Sequence, residues 1–240
     1  MAQMNPTVGD LKGNTSKILK LVDEARTLGA DLVAFPELAI SGYPPEDLLF
    51  KPQFIQGCRS CLDEIVSASC GIAVVVGFPD DNDGMYNAAA VAWDGRLVDV
   101  YNKIYLPNYG VFDEIRYFKP GDRCPVYVVN GVNVGVNVCE DIWYDVGPTE
   151  VQRESGAEVI VNINGSPYNA GKGDFRRQML AGRAMTNGLF VSYTNMVGGQ
   201  DELVFDGHSM LFDYAGNLVA NGRQFEEELV VADLDVDGVA

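Results

Sequence analysis

The feature that most constrains the fold is an alternation of short β-branched runs with longer stretches of helical periodicity. Apolar residues recur at helical spacing from Asn14 to Leu28, and Gly29 follows as a helix stop. The same reasoning predicts helices at about 52–69, 149–155 and 174–187, and strands at 31–35, 72–78, 159–163 and 189–193. This alternation predicts an α/β fold in which helices and sheets form layers.

Two pairs of predicted strands are expected to form hairpins. Runs 86–93 and 97–101 flank an Asp-Gly pair, and runs 127–129 and 132–138 flank an Asn-Gly pair. Both dipeptides favour the short turns that join antiparallel strands. Hairpins within an alternating pattern predict mixed rather than purely parallel sheets. Because no linker of low complexity and no internal repeat divides the chain, residues 1–240 are predicted to form a single domain.

Charge and composition exclude several classes of function. The chain has 17 basic and 34 acidic side chains, and its formal net charge of −17 argues against binding nucleic acid or an anionic membrane. The single histidine, His208, rules out a three-histidine zinc site, and no metal site is predicted. The amino terminus shows no secretory signal, no apolar run reaches membrane-spanning length, and five unevenly spaced cysteines are typical of reduced thiols. A cytoplasmic location is therefore predicted.

Three reactive residues follow predicted apolar strands: Glu37 after LVAFP, Lys103 after LVDVYN and Cys139 after VNVGVNV. Strand ends are where layered α/β proteins place their sites, although each residue alone is more often a solvated charge or a small buried side chain. A thiol must lose its proton to act as a nucleophile. With only one histidine in the chain, a carboxylate base and an ammonium partner are the more economical activating groups.

Longer motifs place these residues in a family. The chain resembles the nitrilase, or carbon-nitrogen hydrolase, superfamily through FPELAISGYPPEDLL, YNKIYLPNYGVFDEIRYFKPG, VGVNVCEDIW and NINGSPYNAGKGDFRRQM. Through PPEDLL, FDEIRYF and GGQDELVFDG it is similar, more narrowly, to the amidase domain of glutamine-dependent NAD synthetases. The resemblance covers nearly the whole chain. It implies a four-layer α-β-β-α sandwich with mixed sheets and a catalytic triad of Glu37, Lys103 and Cys139.

The resemblance also implies further site residues. Glu114 matches the family's second glutamate, which is expected to hold Lys103 in place and to assist proton movements. The glutamine-binding positions fall on Tyr109, Ser166 and Lys172. Lys172 carries the charge that a substrate carboxylate requires. The remaining candidates are Glu140 as a partner for the substrate ammonium, and Tyr43 and Trp143 as walls of the pocket.

The implied reaction is hydrolysis of the side-chain amide of L-glutamine to glutamate and ammonia through a cysteine thioester, without a metal or organic cofactor. Ammonia would serve a synthetase domain that uses ATP and Mg to convert deamido-NAD to NAD, and that domain is absent from this chain. A homo-oligomer is expected. Two alternatives remain open: a stand-alone omega-amidase or other small-amide hydrolase of the same superfamily, and a catalytically silent oligomerisation domain.

Three other features predict no catalytic site. Cys58 and Cys61 form a C-x-x-C inside an amphipathic helix, with Cys70 nearby but no fourth ligand, which argues against metal or redox chemistry. The segment GSPYNAGKG has the wrong spacing for a phosphate-binding loop, and Gly173 replaces the required Ser or Thr. His208 is predicted to make a loop or interface contact.

Overall fold

The computed structural model describes residues 1–239 and contains helices and strands in the predicted alternation. The helices are α1 (Leu11–Thr27), α2 (Pro52–Ser67), α3 (Pro148–Glu154) and α4 (Lys172–Asn187). The strands are β1 (Ala2–Gln3), β2 (Leu32–Ala34), β3 (Ala73–Asp80), β4 (Tyr86–Trp93), β5 (Arg96–Asn102), β6 (Val126–Val129), β7 (Val132–Val138), β8 (Val159–Asn164), β9 (Phe190–Asn195), β10 (Val197–Gln200), β11 (Leu203–Asp206), β12 (Met210–Phe212), β13 (Leu218–Asn221) and β14 (Glu228–Leu229).

Two mixed sheets form the centre of the fold. One has the strand order β2-β3-β4-β5, and the other has the order β13-β12-β9-β8-β7-β6. Strands β7, β8 and β9 are parallel, as are β2 and β3, whereas the remaining pairs in these sheets are antiparallel. The prediction of mixed sheets is confirmed. Both predicted hairpins are present as the antiparallel pairs β4–β5 and β6–β7.

The layers follow from the alternation of side chains along each strand. On β3, Val74 and Val76 pack with the buried faces of α1 and α2, whereas Val75 packs between the two sheets. Leu180 and Ala184 of α4 pack against the outer face of the six-stranded sheet. The layer order is therefore α-β-β-α, as the family resemblance implies.

Two helices begin earlier than their apolar spacing predicts. Helix α1 starts at Leu11 rather than Asn14, because the Asp10 side chain accepts a hydrogen bond of 2.9 Å from the amide of Gly13 and caps the helix. Helix α4 starts at Lys172, directly after Gly171 in the left-handed region. This early start makes Lys172 the first residue of the helix.

The C-x-x-C pair lies on the buried side of α2. The thiol of Cys61 is 3.8 Å from the carbonyl oxygen of Leu11, and Cys58 is fully buried. Within residues 1–239, no group of three or more His, Cys, Asp and Glu side chains is placed to hold a metal ion. Over the same residues, no helix has both the length and the apolarity needed to cross a bilayer.

The sheet topology brings the predicted reactive residues to one end of the sandwich. Strand β5 runs in the same direction as β2, because two antiparallel pairings separate β5 from β3. Glu37 follows β2 after a two-residue extension, and Lys103 directly follows β5. From the facing sheet, Cys139 directly follows β7, and Gly165 directly follows β8.

Candidate active site

A buried ammonium joins two carboxylates at this end of the sandwich. Nζ of Lys103 lies 2.7 Å from Oε1 of Glu37 and 2.9 Å from Oε1 of Glu114. The hydroxyl of Tyr43 donates to Oε1 of Glu114 at 3.0 Å. All four residues are buried. Glu114 therefore contacts Lys103, as the family resemblance implies.

Cys139 sits at a sharp turn beside this cluster. It is the first residue of a short 3-10 helix, Cys139–Ile142, and its φ of 47° lies in the left-handed region. A side chain other than glycine is uncommon there, and such a conformation costs about 1–3 kcal/mol. The turn directs the chain away from β7 while the Cys139 side chain, 5% exposed, reaches a cavity of about 490 Å³.

The charges of the cluster follow from its burial. Burial alone would lower the pKa of Lys103, but the carboxylates of Glu114 and Glu37 outweigh it and raise that pKa well above its usual value. Burial raises the pKa of Glu114 to about 7, assisted by the charge of Glu37 and opposed by that of Lys103. Lys103 is therefore a permanent cation, and Glu114 can gain or lose a proton near neutral pH.

The Cys139 thiol is neutral at rest. Burial raises its pKa well above the usual value, the negative charge of Glu37 adds to the effect, and Lys103 opposes it. A buried thiol of this kind does not ionise on its own near neutral pH. It needs a base that takes the proton as the sulfur attacks.

The cavity beside Cys139 is lined by most of the predicted substrate-binding residues. The predicted residues on its wall are Tyr109, Glu140, Trp143, Ser166 and Lys172. Its volume lies in the range of small-molecule sites. Tyr43, predicted as a pocket wall, instead lines a neighbouring cavity of about 220 Å³ together with Glu114.

Opposite charges face this cavity from two elements. The hydroxyl of Tyr109 donates to both carboxylate oxygens of Glu140, at 2.9 and 3.0 Å, and that of Tyr144 donates to Oε1 at 3.1 Å. Nζ of Lys172 lies 5.9 Å from the ring centroid of Trp143. Burial lowers the pKa of Lys172. An anion and a cation are thus available for a zwitterionic ligand.

Ser166 is held in place by residues that sequence reasoning missed. Its amide donates to Oδ1 of Asn195 at 2.9 Å, and its hydroxyl lies 3.4 Å from Nη2 of Arg176. Arg176 is fully buried, and Nη1 lies 3.3 Å from Oδ1 of Asp206. A charged residue inside the apolar pattern of α4 is the signal that could have identified Arg176.

Asp141 ties the nucleophile turn to the chain after β5. Its Oδ1 accepts from the amides of Ile104 and Tyr105, at 3.1 and 2.8 Å. Its Oδ2 accepts from the amide of Val138 at 3.1 Å and from the hydroxyl of Tyr101 at 2.7 Å. Burial raises the pKa of Asp141 to about 6, although these donors oppose the shift. The relative position of Cys139 and Lys103 therefore depends on one buried carboxylate, which sequence reasoning also missed.

Asn87, another residue that sequence reasoning missed, bridges the two glutamates. Its Nδ2 donates to Oε1 of Glu37 at 2.7 Å and lies 3.3 Å from Oε2 of Glu114. Asn87 is fully buried on β4. A polar residue at the start of the run NAAAVAW is the signal in the sequence.

His208 lies outside the cavity that contains Cys139. It is half-buried in the connection between β11 and β12, and its Nδ1 is 3.3 Å from Nε2 of Gln224. Burial lowers the pKa of His208. In this structure the imidazole makes a loop contact.

The fold and the site define a class of protein. The family model described as carbon-nitrogen hydrolase matches residues 1–240, and the chain belongs to that family. A glutamine-dependent NAD(+) synthetase from Thermotoga maritima is 45% identical over 240 residues, which is 99% of this chain and 42% of that protein. The match falls in the N-terminal part of that relative, so the chain spans less than half of its length.

Solved structures of two related enzymes are similar to this chain. The glutamine-dependent NAD+ synthetase from Acinetobacter baumannii superposes with a TM-score of 0.92 at 37% identity, over 96% of this chain and 44% of that one. An amidase from Nesterenkonia sp. AN1 superposes with a TM-score of 0.87 at 26% identity, over 99% of this chain and 93% of that one. In the latter structure, acrylamide has added to the active-site cysteine.

Proposed function

We propose that this protein is the glutaminase part of a glutamine-dependent NAD+ synthetase and hydrolyses the side-chain amide of L-glutamine. The observation that carries the proposal is a strained, buried Cys139 at the wall of a cavity, beside a Glu37–Lys103–Glu114 cluster. The names of the T. maritima and A. baumannii relatives support glutamine as the substrate.

The first half of the reaction forms a thioester. As the sulfur of Cys139 attacks the carboxamide carbon, its S–H bond breaks and the proton passes to the carboxylate of Glu37. The tetrahedral intermediate carries its negative charge on the former carbonyl oxygen. Collapse of this intermediate breaks the C–N bond, and Glu37 returns the proton to the nitrogen, which leaves as ammonia.

We assign stabilisation of the oxyanion to two groups. Lys103 is a permanent cation in the same cluster, and the backbone amide of Glu140 lies in the first turn of the 3-10 helix, where no earlier residue of the helix can accept from it. Loss of one oxyanion donor typically costs about 10²–10³ in kcat. The ammonium also prevents two carboxylates from facing each other without compensation.

The second half of the reaction returns the free enzyme. A water molecule attacks the thioester carbon while its proton passes to Glu37. The C–S bond then breaks, the sulfur recovers the proton from Glu37, and glutamate leaves. Every step uses the side chains described above together with water.

Recognition of glutamine uses the charges in the cavity wall. We assign Lys172 to the α-carboxylate of the substrate and Glu140 to its ammonium, with Tyr109 orienting Glu140 through its hydroxyl. Ser166 adds a hydroxyl fixed by Arg176. The stacked rings of Trp143 and Phe175, with centroids 5.8 Å apart, provide an apolar wall.

The remaining parts of the proposal concern partners. The names of the relatives support NAD synthesis as the process that consumes the ammonia. By the family resemblance, the consumer would be an ATP- and Mg-dependent synthetase domain that converts deamido-NAD to NAD. We also propose a homo-oligomer, a single domain over residues 1–240 and a cytoplasmic location. The free state of all five cysteines is compatible with a reducing compartment.

The proposal is tested by measuring ammonia and glutamate release from L-glutamine by the wild type and by Cys139→Ala. We expect stoichiometric products from the wild type and none from the variant. Cys70→Ala is the matched control, since Cys70 is exposed and lies in the turn after α2, outside the cavity wall. Equal rates in wild type and Cys139→Ala would reject the proposal.

A second candidate is a stand-alone amidase for another small amide. It is supported by the Nesterenkonia amidase, of whose length this chain covers 93%. The two candidates differ in their dependence on the zwitterionic end of the substrate. A preference for propionamide over L-glutamine, unaffected by Lys172→Met, would favour the second candidate.

A further inference from the structure

Glu37 is surrounded by hydrogen-bond donors in an uneven way. Its Oε1 lies 2.7 Å from Nζ of Lys103 and 2.7 Å from Nδ2 of Asn87. Its Oε2 receives one donor, the amide of Gly165, at 2.7 Å. Each carboxylate oxygen has two lone pairs. Oε1 is therefore fully occupied, whereas Oε2 has one lone pair left.

The oxygen with the free lone pair is also the one that contacts Gly165, the residue directly before a cavity-lining residue. Oε2 would lie only 3.2 Å from a Cβ placed on Gly165, and the next residue, Ser166, lines the cavity together with Cys139. The occupied oxygen faces Asn87 on β4 and Lys103 directly after β5. The two oxygens of Glu37 thus have different surroundings and cannot exchange roles without breaking a hydrogen bond.

We propose that Asn87 is a positioning residue that fixes Oε2 of Glu37 as the atom that accepts the Cys139 proton, by occupying Oε1 together with Lys103. This inference rests on the proposed amidase function. In the step concerned, the S–H bond of Cys139 breaks, the proton moves to Oε2, and the sulfur electron pair forms the bond to the carboxamide carbon. Asn87 itself exchanges no proton.

The local structure of Asn87 suits this role. Asn87 lies on the face of β4 that points between the sheets, as do Ala89 and Val91, because side chains alternate along a strand. Its backbone carbonyl accepts from the amide of Lys103 at 2.9 Å. The same residue therefore holds the Lys103 backbone and, through its side chain, the carboxylate that Lys103 neutralises.

The second contact of Asn87 restrains the other glutamate. Nδ2 lies 3.3 Å from Oε2 of Glu114, whose Oε1 already accepts from Lys103 and Tyr43. One amide group thereby fixes the rotation of both carboxylates. A donor to a carboxylate favours its charged form, so loss of Asn87 makes Glu114 easier to protonate.

The test compares wild type with Asn87→Ala. Because the reacting atoms move when Glu37 can rotate, we expect kcat for L-glutamine to fall by about 10²-fold, with KM unchanged. The acid limb of the kcat/KM profile should move to higher pH. The titratable groups that surround Glu37 and can affect this pH profile are Lys103, Glu114 and Cys139, with the Tyr43 hydroxyl beyond Glu114.

A second measurement separates this inference from the proposed function. Alkylation of Cys139 by iodoacetamide requires deprotonation of the thiol but no glutamine. Its rate should fall in Asn87→Ala, and its acid limb should shift in the same direction. If the wild type releases no ammonia from glutamine, glutamine is refuted as the substrate. The pH profile of alkylation would still decide the role of Asn87.

The control variant is Asn14→Ala. Asn14 is buried at 1% exposure and bonds to Thr7 and Ile40 of the backbone, so its loss removes a buried amide away from the carboxylates. It should lower the melting temperature without moving either pH profile. Unshifted profiles in Asn87→Ala, with only a lower melting temperature, would overturn the proposal. Asn87→Ser serves as a second variant should Asn87→Ala not fold.

Discussion

Replacement of Lys103 by Met tests the charge balance of the active site. Met is of similar length but uncharged, so Lys103→Met leaves Glu37 and Glu114 facing the same buried position without a cation. Removal of one partner from a buried ion pair costs about 3–5 kcal/mol of unfolding free energy. For a chain of this size about 1 kcal/mol corresponds to 2–4 °C, so the melting temperature should fall by about 6–20 °C.

The effect should depend on pH with a defined sign. The pKa of Glu114 is about 7 in the wild type, and Lys103 lowers it, so the pKa of Glu114 rises further in Lys103→Met. A carboxyl group with a raised folded-state pKa keeps its proton longer in the folded state than in the unfolded state. The free energy of unfolding then falls as pH rises from about 4.5 through the folded-state value. The loss in Lys103→Met should therefore be smaller at pH 5 than at pH 8.

The assay is thermal unfolding followed by circular dichroism at both pH values, with a second substitution as the diagnostic. Adding Glu114→Gln to Lys103→Met removes one of the two opposed carboxylates and should restore part of the stability at pH 8. Glu114→Gln alone is the control, because it leaves Lys103 paired with Glu37. A stability loss equal at pH 5 and pH 8, or no recovery in the double variant, would refute this electrostatic reasoning.

Three further predictions follow from single contacts. Lys172→Met should raise KM for L-glutamine by about 10- to 10²-fold, because a hydrogen bond between charged groups contributes about 1.5–3 kcal/mol. Steady-state kinetics should show this rise in KM with kcat unchanged. Asp141→Asn places an NH₂ group among four donors, so both melting temperature and kcat should decrease; an active variant of wild-type stability would contradict the role given to Asp141. Gly77→Ala should lower the free energy of unfolding by about 1–3 kcal/mol or more, since the new Cβ would lie within 2.8 Å of the backbone around Glu37. An unchanged midpoint of denaturant unfolding would show that this turn can shift.

The local elements could be predicted because their causes are local. Apolar spacing locates α2 and β3, and the Asp-Gly and Asn-Gly pairs locate both hairpins. The early start of α1 could not be read from apolar spacing, since it depends on the Asp10 side chain capping the helix. Capping is a polar contact that the apolar pattern does not record.

The sequence by itself supplied the candidates for the nucleophile, the base and the cation. Glu37, Lys103 and Cys139 each follow an apolar run, and the shortage of histidine points to a carboxylate as the base. The motifs around them then placed the chain in its family, with the layer order that the structure shows.

Only the tertiary structure decided how these groups are arranged and charged. Two of the three donors to Glu37, Asn87 and Gly165, come from positions 50 and 128 residues away. They meet Glu37 because β4 and β8 belong to two sheets that face each other. The raised pKa of Glu114 and the neutral thiol of Cys139 depend on burial inside that sandwich. Hydrogen bonding and desolvation act through space, so the sequence specifies them only through the completed fold.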